Sequence, residues 1–129
     1  MPRNGSTVET GDRAEGIGLR FLEARGLRLV TRNFRTRAGE LDLVMMDGRE
    51  LVVVEVRYRR SPDPVDPAAT VTIAKRRRLV NAASRFLVQH ARLRDHVVRF
   101  DVLALSGPLE AVHCDWIRGA FTADDVPRA

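Results

Sequence analysis

Glu40 and Asp42 stand two apart in Gly39-Glu40-Leu41-Asp42-Leu43-Val44. Glu55 and Arg57 stand two apart in Leu51-Val52-Val53-Val54-Glu55-Val56-Arg57-Tyr58, and Asp47-Gly48 lies between the two runs. Carboxylates gathered in this way suit a hard divalent cation. Mg²⁺ accepts carboxylate oxygens at roughly 2.0–2.1 Å and keeps waters and a substrate phosphate in its remaining octahedral positions. The layout therefore points to metal-assisted chemistry on a phosphodiester.

Successive side chains of a strand alternate between faces, so residues two apart share one. Glu40, Asp42 and Val44 are expected on one face of the first run. Leu51, Val53, Glu55 and Arg57 form one face of the second, and Val52, Val54, Val56 and Tyr58 the other. Asp47-Gly48 signals a hairpin, because both residue types tolerate the positive φ of a tight turn. A two-residue loop sets Asp42 opposite Val53 and Glu40 opposite Glu55, whereas a four-residue loop through Glu50 sets Asp42 opposite Glu55. Either register puts Asp42, Glu55 and Arg57 on one face. Opposed carboxylates on neighbouring strands repel, and a divalent cation between them is the simplest remedy.

The competing reading places Asp42 and Glu55 at strand ends, paired with arginines and chemically idle. Against it stands the setting of Glu55 in Val52-Val53-Val54-Glu55-Val56, which reads as an interior strand covered on both faces. An unpaired carboxylate in such a strand costs several kcal/mol, so it needs a partner or a purpose.

These residues resemble the PD-(D/E)XK nuclease superfamily, in which an acidic residue on one strand is followed by an acidic-X-lysine triplet on the next. The closer resemblance is to one branch, the uncharacterised YraN-like proteins related to archaeal Holliday-junction resolvases. It is carried by Thr10-Gly11-Asp12-Arg13-Ala14-Glu15, by residues 39–44 and 53–60, and by Lys75-Arg76-Arg77-Arg78-Leu79. Arg99-Phe100-Asp101-Val102 and Trp116-Ile117-Arg118-Gly119-Ala120-Phe121 complete it, so that residues 10–121 are covered in order. The resemblance implies an α/β, restriction-endonuclease-like fold with a central mixed β-sheet flanked by helices. It also implies a Mg²⁺- or Mn²⁺-dependent endonuclease acting on DNA, with branched or flapped DNA as the suggested substrate. Asp42, Glu55 and Arg57 take the catalytic positions, and Glu15 joins Asp42 and Glu55 as a metal ligand. Without the resemblance, Glu15 reads as a solvated glutamate in the first turn of a helix, favoured there by the helix dipole.

Arg57 stands where the superfamily has lysine. Arginine stays protonated, so it cannot take a proton from an attacking water. It can still hold a phosphate through its planar fork or stabilise charge growing on phosphoryl oxygens. Of 22 basic side chains only Lys75 is a lysine. Near the start of a helix, it fits a phosphate contact, a proton-transfer group reaching the site, or a solvated cation on an exposed turn.

The elements that must position these residues follow from periodicity and breakers. A first helix over residues 12–25 puts Ala14, Ile17, Phe21 and Leu22 on one face and ends at Gly26. Residues 27–34 form a strand, followed by the acidic hairpin. Three prolines in residues 61–67 exclude a helix interior or a central strand. That loop beside the site reads equally as a lid or clamp and as a plain connector. Ile73, Leu79, Val80, Ala83, Phe86 and Leu87 describe an amphipathic helix over residues 72–91, with Thr72 as N-cap. Two strands over residues 100–105 and 111–116 surround Ser106-Gly107-Pro108, and a short terminal helix closes the chain. The expected organisation is one nuclease-like domain over residues 11–121, with flexible tails at 1–10 and 122–129.

The chain of 129 residues carries a formal charge of +5, and its pI is near 10.8. The excess is clustered: Arg57, Arg59 and Arg60 leave the second acidic strand, and Lys75, Arg76, Arg77 and Arg78 open the next helix. A polyanion passing the acidic site meets both clusters, so Arg59, Arg60, Lys75, Arg76 and Arg78 are expected nucleic-acid contacts with salt-sensitive affinity. A solvated face with scattered ion pairs is the plainer reading. Only seven aromatic residues are present, which disfavours a stacking platform for single strands and favours recognition of duplex or branched backbone; the resemblance implies DNA rather than RNA. A homodimer is suggested by analogy with resolvases that cut two strands in concert. No run approaches the roughly 18 apolar residues of a membrane span. The polar start, without a signal-peptide core, points to the cytoplasm. Cys114 alone excludes an internal disulfide, and His90, His96 and His113 match no metal spacing. Two readings of another class stay open: a nuclease fold that binds nucleic acid without cutting it, and a protein-interaction module.

Overall fold

The valine-rich run around Glu55 becomes the centre of the sheet. The computed structural model describes residues 3–61 and 66–126, with side chains of the first helix from residue 8 onward. Its order is α1 (Arg3–Glu23), β1 (Arg28–Arg35), β2 (Glu40–Asp47), β3 (Glu50–Arg59), α2 (Ile73–Gln89), β4 (Val98–Ser106) and β5 (His113–Phe121). The strands lie in sequence order in one five-stranded mixed sheet, in which only β3 and β4 are parallel. A parallel pair needs a crossover, and α2 supplies it.

Each helix covers one face, giving an α/β architecture of the restriction-endonuclease-like kind. Leu79, Ala82, Ala83 and Phe86 of α2 pack with Val44, Met46, Leu51, Val53, Phe100 and Val102. Ala14 and Leu22 of α1 pack with Leu43, Met45, Val52, Val54, Leu103 and Leu105. Both faces of β3 are thus apolar and buried, as a central strand requires. Close approach of α1 depends on Gly18, where an added Cβ would lie 2.9 Å from Leu103 Cδ2 and 3.7 Å from Val56 Cγ2.

Several boundaries differ from those expected. The first helix begins at Arg3 rather than at residue 12, and its end is closed by Gly26 N–H to Glu23 and Leu27 N–H to Leu22. β5 starts at His113 and runs on to Phe121, past the expected end at residue 116. Val126 is buried against the core, whereas residues 122–125 before it are exposed. The terminal helix is a single 3₁₀ turn, Ala123–Asp125. Ile73 is 52% exposed and does not join the buried face of α2. Thr72 caps α2 as expected, its hydroxyl accepting from Lys75 N–H at 3.1 Å. Residues 62–65 of the proline-rich loop lie outside the described residues. Among the described residues no helix is long and apolar enough to cross a membrane.

Candidate functional site

The β2–β3 ladder runs from Asp47↔Glu50 to Leu43↔Val54 and stops. Beyond it β2 stays with β1 as far as Glu40↔Arg35, and β3 stays with β4 as far as Arg59↔Ser106. The two strand pairs splay, with Asp42 at the apex of the fork. There the Val56 N–H donates to Asp42 Oδ2 at 2.9 Å, which satisfies a backbone donor that the end of the ladder would leave bare.

The hairpin turn is Gly48-Arg49, one residue later than Asp47-Gly48, and Gly48 supplies the positive φ of +60°. Continued past Leu43↔Val54, this register sets Asp42 abreast of Glu55, which is the second of the two expected registers. The expected faces need correction. Leu41 and Val44 both pack on the α2 side, whereas Leu43 packs on the α1 side. Alternation slips at Asp42, where cross-strand bonds no longer hold the pleat. Val44 therefore does not share a face with Glu40 and Asp42. Of the three residues expected on one face, Glu55 and Arg57 share the α2 side, where Lys75 meets Glu55, whereas Asp42 sits at the slip, beside Glu15 of α1 and within hydrogen-bonding reach of Glu55. The cluster passes through the sheet at its fork.

Glu15, Asp42 and Glu55 line one cleft of about 470 Å³, together with Thr10, Gly11, Val56 and Tyr58. One carboxylate oxygen from each of Glu15, Glu40 and Asp42 falls within a mutual 4.8 Å. Glu15 lies in the middle of α1 rather than in its first turn, so the helix dipole does not account for it. Arg32 sits 3.8 Å from its Oε1. Burial first, then Asp42, raises the Glu15 pKa from 4.5 to about 7 despite Arg32. Glu55 is 4% exposed. Its Oε2 faces Lys75 Nζ at 3.6 Å and the Arg57 guanidinium at 3.8 Å. Burial, with Asp42 next, still pushes Glu55 up to about 8.

Among the described residues Glu55 Oε1 is buried with no donor facing it as an ionised carboxylate, and a side-chain hydrogen bond with Asp42 is one of the causes that favour the protonated form of Glu55. A bare carboxylate oxygen beside other carboxylates costs free energy that a hydrogen bond or a cation would recover. The donor set is entirely carboxylate oxygen, which suits Mg²⁺ or Mn²⁺ and not a thiophilic metal. The group whose oxygens lie close enough to share such an ion is Glu15, Glu40 and Asp42, with Glu55 lining the same cleft outside that group.

Glu40 was legible as the i, i+2 partner of Asp42, but its approach to α1 was not. Lys75, sixty residues from Glu15 in the sequence, is brought to Glu55 by the capped first turn of α2. Arg59, Arg60 and Arg78 are exposed, the first two at the end of β3 beyond Glu55, and the backbone of Arg78 packs against Gly39 before β2. Arg76 differs. Its Nε donates to Val71 O and one amino group to Ala68 O, both at 2.8 Å, and its guanidinium lies 5.2 Å from the Phe121 ring. That side chain ties the segment before α2 to β5. The histidines also hold structure: Nδ1 of His90 meets Phe86 O at 2.9 Å and that of His96 meets Arg49 O at 2.8 Å.

Residues 14–105, which include every acidic group of the cleft together with Arg57 and Lys75, match the family described as "Uncharacterised protein family UPF0102". The chain belongs to this family. It is 46% identical over 112 residues to a UPF0102 protein of Stutzerimonas stutzeri, covering 87% of this chain and 93% of the relative. A UPF0102 protein of Xanthomonas oryzae is 50% identical over 123 residues, 95% of this chain and 94% of its own. A third, from Marinobacter nauticus, is 42% identical over 125 residues, 96% of this chain and all of its own. UPF0102 is the YraN-like branch expected from the motifs.

Proposed function

We propose that this UPF0102 protein is a divalent-metal-dependent endonuclease that hydrolyses DNA phosphodiester bonds, with branched or flapped DNA as the favoured substrate. The observation that supports the reading is the strand fork, where carboxylate oxygens of Glu15, Glu40 and Asp42 converge and Glu55 lines the same cleft with its buried Oε1 facing no donor among the described residues. Glu15, Asp42 and Glu55, with Glu40, would hold Mg²⁺ or Mn²⁺. Such an ion, when bound, polarises a phosphoryl oxygen and lowers the pKa of an attacking water.

The side chains divide the remaining work. Asp42 is anchored through Oδ2 by the Val56 N–H, which leaves its other oxygen to the cleft. Glu55 is held through Oε2 between Lys75 and Arg57, with Oε1 left to bind. Arg57 stays charged and stabilises negative charge growing on the phosphoryl group. Lys75 can exchange a proton, so it takes the part that arginine at position 57 cannot. Arg59, Arg60 and Arg78 flank the cleft as backbone contacts, whereas Arg76 is committed to its carbonyls.

The test is cleavage of labelled duplex, flap, four-way-junction and single-stranded DNA by wild type and Asp42→Ala, with Mg²⁺, Mn²⁺ or EDTA. Cutting that needs metal and disappears in the variant is expected, with DNA binding retained or strengthened because a negative charge is removed. Metal-dependent cutting that survives in both Asp42→Ala and Glu55→Ala sinks the assignment. Arg57 at the lysine position favours a second reading, a nuclease fold that binds nucleic acid without turnover. Cleavage that appears only in Arg57→Lys would support it.

A further inference from the structure

Asn33 is the one non-glycine among the described residues with positive φ, +56°. It lies within β1, at the edge of the sheet, and its neighbours fix its place in the ladder. Arg32 pairs with Leu43 and Phe34 with Leu41, so Asn33 stands across from Asp42, yet the two form no ladder pair. The kink in β1 and the slip in β2 therefore coincide at the acidic cluster. With its amide nitrogen toward the carboxylates, the orientation that satisfies both sides, Asn33 donates to Glu15 Oε1 at 2.8 Å and to Glu40 Oε1 at 3.2 Å.

We infer that Asn33 is a positioning residue of the cleft, its amide bridging Glu15 and Glu40 so that both carboxylates are held beside Asp42 for a divalent cation. Exposed Arg35, its Nε 3.5 Å from Glu40 Oε2, is the group the cation would compete with. The inference rests on the metal-dependent reading above. The chemistry of the amide suits the task. Two N–H groups on one planar nitrogen pin one oxygen from each of two acceptor-only carboxylates, and they add no positive charge to repel a cation. Glu55 is held differently, by Lys75 and Arg57. The backbone explains the residue type, because asparagine is one of the few side chains that visit the left-handed region readily. From that region the side chain of an edge-strand residue is redirected to reach both α1 and β2. A plain alternative is that asparagine serves only to kink the strand.

Asn33→Gly separates the two, since glycine keeps the left-handed backbone and removes the amide. Mn²⁺ affinity would be measured by calorimetric titration of the full chain, with thermal melting as a check on folding. Loss of a group that orients metal ligands lowers affinity by about 10- to 100-fold, and at least tenfold is expected here with the melt nearly unchanged. A cycle with Glu15→Gln adds a readout that a purely structural role would not move. Once Glu15 no longer presents a carboxylate to the amide, Asn33→Gly should cost less than half as much in log affinity. Wild-type Mn²⁺ affinity in Asn33→Gly overturns the inference and leaves the metal site standing. No Mn²⁺ binding by the wild type overturns both.

Discussion

Two regions of this molecule bury carboxylates in the same sheet and treat them in opposite ways. Asp101 on β4, 1% exposed, is fully partnered. Its oxygens accept from Arg99 Nε and an Arg99 amino group, from Trp116 Nε1 and from the Gly119 N–H, each at 2.9 Å. Arg99 is shared with Asp47 at 3.0 Å and Glu50 at 2.9 Å, so the hub also ties the β2–β3 hairpin to β4 and β5. Hydrogen bonding to Asp101 raises the Arg99 pKa further still. At the fork, by contrast, no donor among the described residues faces Glu55 Oε1, and Glu55 shares a side-chain hydrogen bond with a second acid, Asp42. A fold that satisfies one buried acid so completely does not lack the means to satisfy another. The difference separates a fully satisfied structural carboxylate from an acidic cluster whose members perturb one another, the setting in which functional sites concentrate.

The comparison can be broken most forcefully at the hub. Asp101→Asn removes the charge opposite Arg99 and sets an amide group against existing donors. Loss of one partner from a buried ion pair costs about 3–5 kcal/mol, and urea unfolding should register a loss of that size. A loss below about 1 kcal/mol would mean the hub is not what holds β5 in place.

At the fork the corresponding change should act in the other direction. Glu55 titrates near 4.5 when unfolded and near 8 when folded, and Glu15 near 7 when folded. Between those values the folded chain holds protons that the unfolded chain has released. The stability from this source is complete below pH 4.5 and is lost as pH rises through 7 to 8. At 1.36 kcal/mol per unit, Glu55 alone accounts for a loss on the order of a few kcal/mol in metal-free protein. Glu55→Gln should flatten this slope and raise metal-free stability at pH 8 by about 1–2 kcal/mol, while abolishing Mn²⁺ binding. Chemical denaturation in EDTA across pH 4–9 checks both statements, and a variant less stable than wild type at pH 8 contradicts them.

The smallest effect sharpens the contrast in how the two regions are built. Thr72→Ala removes the hydroxyl that caps α2 and costs about 1 kcal/mol. Because that turn aims Lys75 at Glu55, the variant should also weaken Mg²⁺-dependent cleavage relative to binding. A cap that matters only for stability would leave the ratio of cleavage to binding unchanged.

Much of this was legible in the chain itself. Period-2 alternation and the valine run identified β2 and β3, helical spacing identified α1 and α2, and Thr72 marked its cap. Asp42 and Glu55 were identifiable because charge within apolar strands is costly and local sequence exposes it, whereas Glu15 on α1 was marked only by the family resemblance. The failures share one cause. The fork interrupts alternation at Asp42, and no residue near it announces that the ladder ends there. Asn33, opposite Asp42, gave no signal, since asparagine is common in turns and only tertiary placement aims its amide. Arg76 stood in a basic run like its neighbours, yet carbonyls of the preceding segment captured it.

Sequence alone determined which residues are acidic, basic and apolar, and hence which elements form and which faces they bury, because those follow from spacing along a single chain. Tertiary structure decided that Glu15 from α1, Glu40 and Asp42 from β2, Glu55 from β3 and Lys75 from α2 meet in one place. That meeting depends on where β2 parts from β3, which is set by competition between neighbouring strands for the same backbone hydrogen bonds and is written in no one segment.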